Sequence, residues 1–250
     1  MLVYIDGKYC DEDKANIKVF DEWFLKGCAL AQKIRTFNKK AFLLDEAISL
    51  LFEDLSKLSV SFGKTKQEVK DAVLQTILEN NYNDAVVNII IVISKKPYIV
   101  VLVEKLIEST PQNALRISSE YRNYELNVLQ EFNIAMSHEN AVKIGCVDAI
   151  LTKGNTITDC AYGSLFIVKG GILYTPQGSL KRPFYGLLNS FAKIKKIKLV
   201  KKDIFDIDEC FYANSVLGII PINKIENVLI SSGDIAKNFK ERWHEHVAKL

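Results

Sequence analysis

Cysteine is sparse in this chain and scattered. Cys10, Cys28, Cys146, Cys160 and Cys210 form no Cys-x-x-Cys pair, so spacing offers neither a zinc-ribbon site nor a dithiol redox motif. In a reducing compartment such residues are core or surface thiols. Histidine is scarcer still. His244 and His246 stand two apart, which on a helix turns them to different faces and argues against a metal pair. They read as a solvated helix end, and His138 as a surface or polar-interface residue. Long hydrophobic runs are missing too: the longest, Ala85 to Ile93, is interrupted by Asn88 and has strand length, far short of a membrane span. Neither sign of charge dominates, with 33 lysines and arginines against 30 acidic residues. A net charge of +3 gives no strong field for nucleic acid. The lysine-rich stretch Lys193 to Lys202 therefore reads as a solvated edge. No phosphate-binding Gly-Lys loop, nucleophile elbow or zinc-ligand cluster occurs. Met1-Leu-Val-Tyr-Ile-Asp-Gly7 lacks a basic region followed by an apolar stretch and a cleavage site. The expectation is a cytoplasmic protein with no nucleic-acid or membrane partner and no metal.

What is present is a globular profile, 48% apolar and 25% charged over 250 residues, enough for one large domain or two ordinary ones. Val3 to Tyr9, with Asp6-Gly7 at its centre, predicts a hairpin. A second hairpin is expected from Ala31 to Leu44 around Asn38-Lys-Lys40. Leu43 to Leu58 predicts an amphipathic helix, with Leu44, Ile48, Leu51, Leu55 and Leu58 recurring at three- and four-residue spacing. Thr65 to Asn80 predicts another, with Val69, Val73, Ile77 and Leu78 inward. Two strands, Val86 to Ser94 and Tyr98 to Glu104, come next. The polar, proline-punctuated Glu108 to Asn113 is the best linker. Asp21 looks catalytic in isolation, but a turn aspartate more often caps neighbouring N–H groups.

The chain is organised around Leu126 to Pro176. A helix from Val128 to Ile144, with Leu129, Phe132, Ala135, Met136 and Val142 near one face, leads to a strand at Val147 to Leu151. Turns at Lys153-Gly-Asn155 and Lys169-Gly-Gly171 join the short strands after it. Further on, a helix is expected at Phe184 to Lys195 and a strand at Ile197 to Lys201. Asp203 to Glu209 reads as an acidic turn, Gly218 to Ile222 as a strand, and a terminal helix is expected to be capped by Ser232 or Asp234.

Gly145-Cys-Val-Asp-Ala-Ile-Leu151, Thr158-Asp159, Ser164-Leu-Phe-Ile-Val168 and Gly171-Ile-Leu-Tyr-Thr-Pro176 resemble the signature of the class IV, fold-type IV, pyridoxal-phosphate (PLP) enzymes. That family includes D-amino-acid and branched-chain aminotransferases and aminodeoxychorismate lyase. The resemblance spans essentially the whole chain. It implies an α/β (α+β) two-domain D-amino-acid aminotransferase-like fold: a smaller N-terminal domain at 1–108, a linker at 109–116 and a larger β-rich domain at 117–250. A homodimer is implied as well, with a cleft between the domains able to take a small molecule.

Several functional positions of the family are altered. Its Schiff-base lysine lies about eighteen residues before the glycine matched by Gly145, which puts Asn127 in that place. No lysine occurs between Lys105 and Lys143, and asparagine cannot form the imine. The family's phosphate-clamping arginine corresponds to Leu50. Its second phosphate element, Gly-Ile-Thr-Arg, corresponds to Arg182-Pro-Phe-Tyr185, so Arg182 and Phe184 replace small or hydroxyl groups. Ser215 survives as a hydroxyl in a third phosphate segment. Asp159 keeps a carboxylate where the family has a glutamate partnering the pyridine nitrogen. On the substrate strand, Ala31 and Gln32 stand in place of an aromatic and a glutamate. These losses serve one ligand. The first expectation is a class IV scaffold, binding a small molecule or a partner, that no longer uses PLP. The alternative is a divergent lyase or transaminase close to aminodeoxychorismate lyase, which Asn214-Ser-Val-Leu-Gly-Ile-Ile-Pro221 resembles.

Overall fold

A computed structural model describes residues 1–16, 23, 26–107, 113–123, 125–129, 131–231 and 233–250. Chain contacts divide it into two compact units. One comprises Met1–Glu108 with Leu126–Gln130 and Leu250; the other comprises Ser109–Glu125 with Glu131–Lys249. The expected element around Asp21 and most of the expected linker lie outside the described residues. Ala114, inside the expected linker span, already begins a strand.

In the first unit, β1 (Leu2–Ile5) and β2 (Lys8–Asp11) form the expected hairpin. Asp6 and Gly7 both take positive φ, 44° and 99°, which matches the twist that a two-residue turn needs. β3 (Ala29–Phe37) and β4 (Lys40–Ala41) form the second hairpin. With β5 (Ala85–Val92) and β6 (Tyr98–Lys105) they complete a sheet of order β2-β1-β6-β5-β3-β4. Helices α1 (Leu44–Lys57) and α2 (Lys66–Asn80) pack on it. Ala47, Ile48, Leu51 and Leu55 of α1 and Val69, Val73 and Ile77 of α2 share a core with Leu30, Ile34, Val87, Ile89, Ile99 and Val101. Leu78, expected inside, is exposed. It lies one residue past Ile77, about 100° round the helix from the buried stripe. Thr65 and Glu68 close a reciprocal capping box at the start of α2, which fixes where that helix begins.

In the second unit, β7 (Ala114–Ser118), β8 (Asp148–Lys153) and β9 (Thr156–Cys160) join three short strands. A five-stranded sheet is built from β10 (Ser164–Lys169), β11 (Ile172–Pro176), β12 (Lys195–Ile197), β14 (Glu209–Asn214) and β15 (Gly218–Ile222). The short strands are β13 (Leu199–Val200), β16 (Lys224–Ile225) and β17 (Val228–Leu229), giving the order β13-β9-β8-β7-β16-β17. Leu115, Ile150 and Ile157 of this sheet share one core with Leu165, Ile167, Tyr212 and Ile222 of the other. The single strand expected at Ile197 to Lys201 is thus two strands in different sheets, with exposed Lys198 at the crossing. The intervening lysines are solvated, as expected. The acidic turn after them is a 3-10 turn over Lys201–Asp206, and Glu209 leaves it for buried strand β14.

Helix α3 covers Phe132–Lys143, shorter than expected. Its buried side is Ile134, Ser137 and Ala141, while Leu129, Phe132, Met136 and Val142 are exposed. Ile134 and Ala141 meet Ala149 and Leu151, and this narrow seam of mostly small residues decides which face turns inward. Helix α4 (Pro183–Phe191) stops before the expected Lys195, where Arg242 donates to the Phe191 carbonyl at 3.0 Å. Helix α5 (Asp234–Val247) starts at Gly233 with no cap from its own segment. Buried Glu209 caps it from outside, accepting from Ala236 N at 2.9 Å and Ile235 N at 3.3 Å. Ser232 lies outside the described residues.

A methyl group on Gly233 would sit 1.9 Å from the Glu209 side chain. Gly233→Ala is therefore expected to cost about 1–3 kcal/mol in urea unfolding. Gly63→Ala, where the added carbon meets nothing within 4 Å, should stay within about 0.5 kcal/mol.

Candidate functional site

The second unit holds a tight cluster of charge. Asp159, on β9, is 2% exposed. Its Oδ2 accepts from Arg182 Nη1 at 2.7 Å, from the Leu180 amide at 3.1 Å and from Arg122 Nη1 at 3.4 Å. Its Oδ1 accepts from Ser179 Oγ at 2.8 Å. Arg122 in turn donates through Nε to Glu131 at 2.8 Å, and to the Cys160 and Ala161 carbonyls. Arg182 reaches the same two carbonyls at 3.5 and 3.4 Å. Two guanidinium groups thus balance two carboxylates, the arrangement that a buried charge requires. Burial disfavours the charge of Arg182, but the adjacent Asp159 carboxylate more than restores it, and the guanidinium stays above its ordinary value.

Of the sequence-derived positions in this unit, the structure brings Asp159 and Arg182 into direct contact. Phe184 follows in the first turn of α4; it is 2% exposed and its ring centroid is 6.5 Å from that of Trp243. Ser215 is buried in the turn between β14 and β15. That turn is held by Asn214 Oδ1, which accepts from the Val216 and Leu217 amides at 3.0 and 2.6 Å.

In the first unit, the backbone of Asn127 pairs with β3: Ala31 N donates to Asn127 O at 2.8 Å. The Asn127 side chain turns to α1, where its Nδ2 donates to Asp54 Oδ2 at 2.7 Å and its amide to the same oxygen at 3.0 Å. Asp54 is 1% exposed, and its other oxygen takes Lys57 Nζ at 2.7 Å. Leu50, one turn earlier on α1, is 5% exposed. Ala31 is half-buried, while Gln32 is buried, with no partner for its Nε2 among the described residues.

A third cluster surrounds Asp148, the acid of the Gly-x-x-Asp-Ala-Ile-Leu frame. It is fully buried and accepts from the Ala149, Tyr162 and Gly163 amides and from His138 Nδ1 at 2.9 Å. The polar-interface reading of His138 meets this hydrogen bond and the Tyr162 ring at 4.6 Å. Among the described residues no group of His, Cys, Asp and Glu is placed to hold a metal ion, and no helix is long and apolar enough to cross a membrane.

Sequence reasoning missed Arg122, Glu131, Ser179 and Asp54. Asp54 carried a signal, because it lies on the apolar stripe of α1 between Leu51 and Leu55, where a lone carboxylate needs a partner. Arg122 carried none, since its partners come from distant strands and loops.

The family model for amino-transferase class IV matches residues 30–225. The chain belongs to that family. A Methanocaldococcus jannaschii relative named "Putative branched-chain-amino-acid aminotransferase" is 26% identical to this class IV chain, covering 98% of it and 96% of the relative. The aminodeoxychorismate lyase of Bacillus subtilis is also 26% identical, over 91% of this chain and 87% of its own length. Among solved structures, the branched-chain aminotransferase of Thermoproteus uzoniensis with norvaline superposes with a TM-score of 0.88 at 19% identity, covering 99% of this chain and 94% of that one. The mixed α/β fold is therefore that of the class IV aminotransferases.

Asp54→Ala would leave the amide and Nδ2 of Asn127 without their acceptor. It is expected to cost about 2–4 kcal/mol in urea unfolding, with Asn127→Ala coupled to it in a double-mutant cycle. A pH effect follows from the buried acids near Asp159. Burial pushes up the Cys160 and Cys210 thiols and the Tyr212 phenol, and Asp148 adds to the effect at Cys160 and Tyr212. Their folded values exceed their unfolded ones, so their contribution is complete below the ordinary thiol range and is lost as pH rises above it. Tm should fall from about pH 8 to about pH 10, less steeply in the Cys160→Ala/Cys210→Ala variant; equal slopes would contradict this.

Proposed function

We propose that this class IV protein keeps the fold but has lost conventional PLP catalysis, and that it serves as a scaffold binding a small molecule or a protein partner. The observation that carries this reading is the state of Asp159. In the family the matching acid partners the pyridine nitrogen, whereas here its Oδ2 already accepts from Arg182, Leu180 and Arg122.

The other positions point the same way, and the residues present do not fit the cofactor. Asn127 offers no amine, and its side chain is tied to Asp54. Leu50 supplies no fork of donors for a phosphate. Pro183 removes an N–H at the start of α4, and Phe184 puts a ring there. A dianion beside such groups would go unsatisfied. A homodimer in the cytoplasm belongs to the same proposal, on the family resemblance alone.

A second reading, a divergent PLP-dependent lyase, is favoured by the likeness to aminodeoxychorismate lyase over 91% of the chain. The test that separates the two is the visible spectrum with added PLP, followed by borohydride reduction and peptide mapping. The scaffold reading predicts no stable coloured adduct, or labelling scattered over surface lysines. Labelling of one lysine in stoichiometric amount would instead support the lyase. Asn127→Lys is expected not to create such an adduct, because Asp54 would hold the new ammonium as a buried ion pair.

A further inference from the structure

We infer that Arg182 is a built-in occupant: its guanidinium fills, as part of the chain itself, a binding site for a planar cation made by Asp159 and the Cys160 and Ala161 carbonyls. The inference rests on the reading of Asp159 given above and extends it. Asp159 is 2% exposed, yet it sits at a place where donors arrive from two distant segments: Arg122 and the Ser179–Arg182 stretch before α4. The acceptors facing Arg182 are divided between its two terminal nitrogens. Asp159 Oδ2 takes Nη1 at 2.7 Å, while the Cys160 and Ala161 carbonyls lie 3.5 and 3.4 Å from Nη2. A flat fork of N–H groups matches such a set, and a point-charge ammonium does not.

The two arginines differ in role. Arg122 is tied through Nε to Glu131 at 2.8 Å, so it has a carboxylate of its own. Asp159 is the carboxylate that balances Arg182. Arg182 is also the N-cap residue of α4, directly before Pro183, so its contact fastens the start of that helix to the end of β9. Removing the side chain would take from Asp159 its shortest cationic contact and leave a guanidinium-sized gap beside the two carbonyls, which keep only their bonds to Arg122. Such a gap should recruit a free planar cation and exclude ligands of other shapes. In the intact protein the same group closes the site to any cationic ring.

The test uses the full-length chain without added PLP, so its result is independent of the cofactor experiment. Arg182→Gly is expected to melt lower than wild type. Methylguanidinium at about 20 mM, far below denaturing concentrations, should raise its Tm by roughly 2–4 °C. Methylammonium at equal concentration should not, and neither cation should shift wild type. Equal shifts in wild type and variant, or equal effects of the two cations, would overturn the proposal. Should Arg182→Gly fail to fold, Arg182→Lys decides. It keeps the charge but loses the fork, and is expected to melt clearly below wild type; a wild-type Tm would overturn the proposal.

Discussion

A carboxylate taken out of water must be paired by charge or hydrogen bonds, because the unpaired ion is far too costly to bury. In this chain that constraint falls on Asp159, and the way it is met determines what the surrounding residues can do. With Arg122 and Arg182 on either side and Ser179 and Leu180 completing the set, the carboxylate serves the chain's own donors. The start of α4, the end of β9 and the segment before α3 are all held through it.

The same solution recurs in each unit. Asp148 gathers three amides and His138 in the second unit, and Glu209 caps α5. In the first unit, Asp54 holds Asn127. Four buried acids thus act as structural anchors. On the proposed reading, two of these anchors stand at, or are bonded to, positions that the family uses for its ligand. On the same reading, an asparagine at 127 and an occupied acid at 159 are coherent changes, since each residue has a partner within its own unit.

Much of the fold was legible in the sequence because it is written in local patterns. Asp6-Gly7 and Asn38-Lys-Lys40 announced their hairpins, and the recurrence of Leu44, Ile48, Leu51 and Leu55 announced α1, although Leu58, in the same series, is exposed at its end. Errors arose where a distant group decides the outcome. The inward face of α3 is chosen by Ala149 and Leu151, not by its larger apolar residues. α5 is capped by Glu209 from another strand, and α4 ends where Arg242 reaches back to Phe191. The altered site positions were assigned from the family resemblance. Arg182 was read there only as a lost glycine, because nothing local shows that its guanidinium returns to Asp159.

The measurement that bears most directly on this account is a crystal structure grown with excess PLP. The account predicts the Arg182 guanidinium within hydrogen-bond distance of Asp159 Oδ2 and no phosphopyridine density beside it. A cofactor ring with its nitrogen facing Asp159, and Arg182 turned away, would contradict it.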